Sequence, residues 1–283
     1  MSENLAGEST NPATGGSRDT FLRKTSAPGL PVISVITVVF NGVKELAATI
    51  HSVTSQDYGN VEYLVIDGGS TDGTLDVIRL HEREIDYWLS EPDSGVYDAM
   101  NKAIDKASGD WLLFLGAGDL LLNCLHKVAP LLCDPFTVYY GDVYMPGKHR
   151  LYDGRFSPHK LSRINIPHQA TFYPKSLFDE YRFDLRYPIL ADYDLNIRAF
   201  CGNKFMYCYI RILVTIYEDR DGMSSVIQDM AFNQDRYLIL RDNFGFLTGY
   251  EYRVRELFRI FERKVLRKFT SILKKKLRNS CHA

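Results

Sequence analysis

Hydrophobic and polar positions along the chain fall into short β-branched runs separated by amphipathic stretches. Pro31 opens PVISVITVVF, a continuous apolar run with the length of a strand buried on both faces. Residues 44–56 place Leu46, Ile50 and Val53 at helical spacing. Residues 61–66 read as a second strand ending at Asp67, 75–81 as a short helix, 87–89 as a third strand and 96–107 as a helix. Trp111 opens a fourth strand over 111–115. Strands alternating with helices predict βαβ units with right-handed crossovers, an α/β fold with a mainly parallel central sheet. After about residue 135 the pattern is mixed, with strands at 137–140 and 170–173, a helix at 193–200 and one or two strands within 205–217. From Val226 the chain reads as helical to near its end.

In a parallel sheet, functional residues gather at the carboxyl ends of the strands. Asp67, the turn from Glu91 to Gly95, and Asp119 all fall there. Asp119 lies in LLFLGAGDLLL (112–122), where Gly116, Ala117 and Gly118 remove every sizeable side chain before one acid appears. One reading makes Asp119 the N-cap of a helix starting at Leu120. The other makes it the group that meets a charged ligand approaching the bare backbone. Three strand ends delivering acids and glycines to one edge favour the ligand.

Composition narrows the classes. At 283 residues and 45% hydrophobic content, the chain can bury a full core. Its formal charge of -1 argues against non-specific nucleic-acid binding. That average hides an asymmetry: from Glu251 onward eleven Lys/Arg face three Glu, a local +8, while 23 basic and 32 acidic residues leave -9 elsewhere. Five cysteines without a CxxC suggest reduced thiols of a cytoplasmic protein. The first 30 residues, rich in Ser, Thr, Gly, Asn and Pro, are expected to be a disordered tail with no signal-peptide core. No apolar run reaches membrane-spanning length.

Several nucleotide motifs are missing. FNGVKE follows the first strand where a dinucleotide fold needs GxGxxG, and no GxSxG elbow occurs. GDVYMPGKH (141–149) looks like a P-loop, but its glycines are one residue too far apart and His149 replaces the magnesium-binding Ser or Thr. What does occur is IDGGSTDGT (66–74): an acid ending a strand, two glycines that allow close backbone approach, and Ser/Thr placed to cap the next helix. A well-formed strand–turn–helix junction explains the glycines and hydroxyls without requiring Asp67.

With VISVITVVFN (32–41), SEPDSGVYDAMNKAI (90–104), GDWLLFLGAGD (109–119), IPHQATFY (166–173) and ADYDLNIR (191–198), this segment resembles the family 2 inverting glycosyltransferases of GT-A fold, across about residues 31 to 225. The likeness extends to bacterial enzymes that build surface polysaccharides of colanic-acid or O-antigen type. The resemblance implies nucleotide-sugar contacts from Thr37, Asp67, Asp93, Asn101 and Lys102. Lys102 also has a plain reading as a solvated helix residue. Asp119 matches the last acid of the family's DxD-like motif, implying a divalent cation, Mn²⁺ or Mg²⁺, on the donor diphosphate. Relatives often have acids where this chain has Gly116 and Gly118, and many have an acid at the position of Gly68.

Asp192 matches the catalytic base, with Ala191 replacing the usual acid before it. Asp194 is its rival, although an i,i+4 pair with Arg198 accounts for it well. His168 is either an acceptor contact or a satisfied buried histidine. The implied reaction is transfer from a nucleotide-diphosphate sugar to a hydroxyl of a lipid-linked glycan in surface-polysaccharide synthesis. Competing readings are a sugar-phosphate nucleotidyltransferase, for which FNGVKEL is the wrong loop, and a degenerate nucleotide-sugar-binding partner. The expected organisation is a tail over 1–30, a GT-A domain over 31–225 and a basic helical extension over 226–283. In that extension Val254, Leu257, Phe258, Phe261, Val265, Phe269, Ile272, Leu273 and Leu277 recur at helical spacing, with Lys and Arg opposite. Such a helix suits the anionic inner face of the cytoplasmic membrane; packing on the domain is its rival.

Overall fold

The computed structural model describes residues 12–18, 24–152, 154–218 and 228–258. The run after Pro31 is buried at every position because it forms β2 (Ile33–Val39), the strand on which the sheet is built. β3 (Val61–Asp67) and β5 (Trp111–Gly116) lie parallel on its two sides, and β4 (Tyr87–Ser90) extends the array beyond β3. The crossovers carry α1 (Leu46–Thr54), α2 (Thr74–Leu80) and α3 (Val96–Lys106). Strands buried on both faces need no polar alternation, which is why these runs are continuously apolar.

Beyond β5 the topology becomes mixed. β9 (Thr171–Pro174) enters antiparallel between β5 and β7 (Thr137–Met145). β10 (Met206–Ile216) runs parallel to β7, while β6 (Leu120–Leu121) and β8 (Arg150–Tyr152) pair antiparallel with β10 and β7. With β1 (Ala13–Gly15) at the far edge, the order is β1–β4–β3–β2–β5–β9–β7–β10–β6. The short helices α4 (Leu125–Val128) and α5 (Pro158–Leu161) precede α6 (Ala191–Cys201) and α7 (Met230–Phe244). Phe114 of β5 anchors an aromatic cluster, its ring centroid 5.5 to 6.2 Å from those of Tyr173, Phe178 and Phe183.

The expected disordered tail is ordered in part: Ala13–Gly15 pairs antiparallel with β4, and the Ser17 hydroxyl donates to the Ile85 carbonyl at 3.1 Å, while residues 1–11 and 19–23 lie outside the described residues. Gly15 is bare because a Cβ there would stand 2.7 Å from the Trp88 indole. Asp119 caps no helix, as the shared sheet edge favoured, because Leu120 and Leu121 enter β6. The chain divides into two compact units after residue 232. The Asp229 carboxylate accepts from the amides of Ile189 and Leu190, both at 3.0 Å, and the Phe232 ring contacts Tyr187 and Tyr193 at 5.4 and 5.3 Å.

In the second unit, Gly245, with φ of +88°, separates α7 from a helix over 246–258. Arg236 lies over the Tyr252 ring and Arg253 over that of Tyr237, at 5.0 and 5.3 Å. Most of the basic amphipathic segment, from residue 259 on, lies outside the described residues. Among the described residues no helix is long and apolar enough to cross a membrane.

Glu62 of β3 holds the amino-terminal side of the sheet together. It accepts from the Ser34 hydroxyl, the Ser108 amide and hydroxyl, and the Arg18 guanidinium, at 2.5 to 2.8 Å. Burial alone would raise its carboxyl, but the Ser108 and Ser34 hydrogen bonds and the Arg18 charge outweigh burial and hold it below the ordinary range. A depressed carboxyl stabilises the fold at neutral pH and loses that contribution as pH falls through its folded value. Glu62→Ala is therefore expected to cost about 3 kcal/mol in urea unfolding at pH 7. Glu62→Gln should flatten the acid limb of stability between roughly pH 5 and pH 3; an unchanged limb contradicts this assignment.

Candidate active site

The site forms where β2, β3 and β5 end, because register places Val39 opposite Asp67 and Val38 opposite Gly116. The loops leaving β2 and β3 are bonded to each other. The Asn41 amide donates to Ser70 Oγ at 2.7 Å, the Thr71 amide to Asn41 Oδ1 at 2.9 Å, and the Gly42 amide to Thr74 Oγ1 at 3.0 Å. Asp67 is fully buried, accepting from the Ser70 amide and hydroxyl and, at 2.6 Å, from the Ser90 hydroxyl. The acid that the junction did not require thus orders its own loop and joins it to the end of β4.

Asp93 lies over this loop, its Oδ1 accepting from the Gly95 amide at 2.8 Å. A Cβ on Gly68 would stand 2.6 Å from Asp93 Oδ2, so the position where relatives carry a second acid is filled by the Asp93 carboxylate. Burial raises the Asp93 carboxyl, with Gly95 and Lys102 acting against it and Asp98 and Asp67 adding to it.

Asp119 leaves β5 through the turn whose need for glycine is set by Gly118, with φ of +106°. The carboxylate is 4% exposed and accepts from the Gly116 amide at 2.8 Å and the Glu218 amide at 3.2 Å. Thr49 locks the turn, accepting from the Gly118 amide and donating to the Asp119 carbonyl. Burial pushes the Asp119 carboxyl up to about 6, against the Gly116 hydrogen bond and the nearby His168 charge.

Asp192 stands in the first turn of α6 and is 5% exposed. Its Oδ1 accepts from the Tyr97 hydroxyl and the Tyr193 amide, and its Oδ2 from Asn165 Nδ2 and His168 Nδ1, all at 2.8 Å. Burial, and then the Asp192 charge, drive the Tyr97 hydroxyl well above its ordinary range, so it remains a neutral donor. Asp194 points to Arg198, Nε to Oδ2 at 2.7 Å, as the i,i+4 pattern predicts.

The other expected residues divide. Thr37 is fully buried with Oγ1 3.0 Å from the Tyr63 hydroxyl, so its side chain presents no surface to a ligand. Asn101 is committed to the Phe183 backbone, donating to its carbonyl and accepting from its amide. In both, the polar atoms are engaged in holding the fold. Lys102 is not a solvated helix residue; it contacts the Pro92 carbonyl at 3.0 Å and Glu91 at 2.8 Å, anchoring the loop that carries Asp93. Burial would lower its ammonium, but Glu91, Asp98 and Asp93 hold it above the ordinary value. Tyr97 and Asn165, partners of Asp192, were missed; both lie inside quoted motifs or one residue outside them, but neither residue type signals a role by itself.

Among the described residues no three His, Cys, Asp or Glu side chains gather as a metal cluster. Asp119 offers one buried, poorly compensated carboxylate, which fits a hard cation that draws its other ligands from phosphate and water.

Sequence comparison supplies the family. The glycosyl transferase family 2 model matches residues 34–191, and the chain belongs to that family of enzymes. A PGL/p-HBAD biosynthesis glycosyltransferase of Mycobacterium bovis (strain BCG / Pasteur 1173P2) is 38% identical over 211 residues, 71% of this chain and 82% of the relative. S. aureus TarS in complex with UDP-GlcNAc matches with a TM-score of 0.58 at 18% identity, over 74% of this chain and 64% of that one. The mannosyltransferase PcManGT from Pyrobaculum calidifontis, in complex with GDP-Man and Mn²⁺, matches with a TM-score of 0.52 at 16% identity, over 80% and 64%. The chain thus spans less than two thirds of either solved protein, and at these identities the likeness establishes the fold, which is of GT-A type.

The raised Asp119 carboxyl has a stability consequence. An acid whose folded value is raised favours the fold when protonated, and that contribution is lost as pH rises from about 4 through about 6. In EDTA, wild-type stability should therefore fall relative to Asp119→Asn over that window, by about 3 kcal/mol at most. Parallel pH profiles for the two proteins would contradict a desolvated carboxylate.

Proposed function

We propose that the chain is an inverting glycosyltransferase that moves a sugar from a nucleotide-diphosphate sugar to a hydroxyl of a glycan acceptor in surface-glycan synthesis. The observation that carries this reading is the buried Asp119 at the exit of β5, on the same sheet edge as Asp67 and with only two amides to compensate it. Asp67 and Asp93 would line the nucleoside end, with Lys102 keeping the Asp93 loop in place. Asp119 would hold Mn²⁺ or Mg²⁺, which when bound supplies charge neutralisation for the departing diphosphate. The bare Gly116–Ala117–Gly118 turn lets that diphosphate approach. Asp192 removes the proton of the acceptor hydroxyl, which attacks the anomeric carbon on the face opposite the diphosphate, with His168 beside it as an acceptor contact. The similar M. bovis and TarS proteins carry glycoconjugate names or a bound nucleotide sugar, which supports a donor of that class.

A panel of nucleotide sugars, assayed for hydrolysis and transfer with Mn²⁺ and with EDTA, tests the reading. Asp119→Ala should abolish turnover while leaving the thermal transition in place, and Asp192→Asn should keep donor binding and lose about 10²-fold or more in kcat. Asp194→Asn should be milder. An active Asp119→Ala variant, or full activity in EDTA, contradicts the role given to Asp119. A wild-type chain that binds nucleotide sugars and turns none over points instead to a degenerate binding partner.

The acceptor we favour is lipid-linked, met at the anionic cytoplasmic face of a membrane through the basic carboxyl-terminal segment. Leu257 and Phe258, at its start, are 59% and 65% exposed. Full-length protein should sediment with anionic vesicles at low salt, and replacing Lys274, Lys275 and Lys276 by Glu should weaken that binding. Protein that ignores such vesicles at low salt makes the segment structural.

A further inference from the structure

Asp192 and Asn196 stand one turn apart on α6, and both bond to the same asparagine in the segment before β9. Asn196 is fully buried. Its Nδ2 donates to the Ile166 carbonyl at 3.2 Å and to Asn165 Oδ1 at 2.9 Å, one acceptor for each of its two N–H bonds. Its Oδ1 accepts from the Tyr173 hydroxyl at 3.1 Å. The backbone sets the direction of this chain. A carbonyl only accepts, so Ile166 fixes which end of the Asn196 amide carries the protons. Asn165 Oδ1 is thereby engaged as an acceptor, and the end of that amide left for Asp192 is Nδ2, which donates to Oδ2 at 2.8 Å. A reversed Asn165 amide would set its own oxygen against the carboxylate. Asn165 is half-buried, and among the described residues Asn196 is the group that bonds its Oδ1.

We propose that Asn196 is a positioning residue for the reaction at Asp192, acting through the Asn165 amide. The inference rests on the transferase reading above, in which Asp192 takes the acceptor proton. A carboxylate collects that proton efficiently only while its oxygens are held at the angle from which the acceptor hydroxyl is met, and small losses of such geometry are costly. Oδ2 is held by Asn165 and His168, each at 2.8 Å. Asn165 is the donor that is itself locked from behind, by a fully buried amide whose own direction the backbone dictates. Without Asn196, Asn165 Oδ1 loses its donor, the amide is free to turn over, and the carboxylate loses a fixed partner. Asp67 and Asp93, assigned to the nucleoside, take their hydrogen bonds from Ser70, Ser90 and Gly95, so donor binding is independent of this chain of amides.

A double-mutant cycle of Asn165→Ala and Asn196→Ala on kcat reads this coupling, with donor KM and nucleoside-diphosphate binding measured on the same proteins. Each single variant should lower kcat by about 10–100-fold, the size that outer partners of ligating groups carry, and leave donor KM and nucleoside-diphosphate binding unchanged. The double variant should lose no more than the worse single variant, because one residue acts through the other. Two independent packing defects would multiply instead. If Asn196→Ala does not fold, Asn196→Ser, which keeps a hydroxyl in the buried site but is one atom too short to span to Asn165, carries the same expectation. Wild-type kcat in the folded Asn196 variant, or losses that multiply in the double variant, overturns the proposal. A wild-type chain that turns over no nucleotide sugar fails earlier, before any variant is compared, and takes the transferase reading with it.

Discussion

Because β2 is buried along its whole length and flanked by parallel neighbours, no polar chemistry can be placed along the central strands. Even Thr37, the polar residue near the middle of β2, is turned inward to Tyr63. Charge is admitted only near the strand termini, Glu62 at the amino side and the site acids at the carboxyl side, and there each acid must be matched by donors or bear a desolvation cost. Asp67 meets two serine hydroxyls and an amide, Asp192 four donors, and Asp119 only two amides, one of them at 3.2 Å. The least compensated of the three is the one whose carboxyl is pushed up to about 6.

That unevenness gives the edge its chemistry. Under the proposed reading a diphosphate approaching Asp67, Asp93, Asp119 and Asp192 would meet like charge, and Asp119, with the fewest donors and a glycine turn before it, is the acid proposed to hold the neutralising cation. At the other end, Asp192 is met by donors from three separated segments, where Asp119 has only two amides.

Much of this could be read from the sequence. Continuous β-branched runs separated by helical spacing determine a parallel sheet, and a parallel sheet places Asp67 and Asp119 at one edge, whereas Asp192, on α6, was singled out by the family resemblance alone. Asn101 and Thr37 both lie in matching motifs, and a motif does not say that their polar atoms bond to Phe183 and Tyr63. The residues around Ala13 were misread because small, polar composition describes a linker and a tightly packed edge strand equally well. The donors to Asp192 come from three separated segments, and only folding brings Tyr97, Asn165 and His168 to one carboxylate.

The central claim, that Asp119 organises a nucleoside diphosphate at this edge, is tested most directly by a crystal structure of the chain with a nucleoside diphosphate and Mn²⁺. Anomalous scattering should place the manganese beside the Asp119 carboxylate, with phosphate oxygens completing its coordination and Asp67 and Asp93 toward the nucleoside. A nucleotide bound away from the ends of β2, β3 and β5, or manganese held by other residues while Asp119 keeps only its two amides, would contradict it.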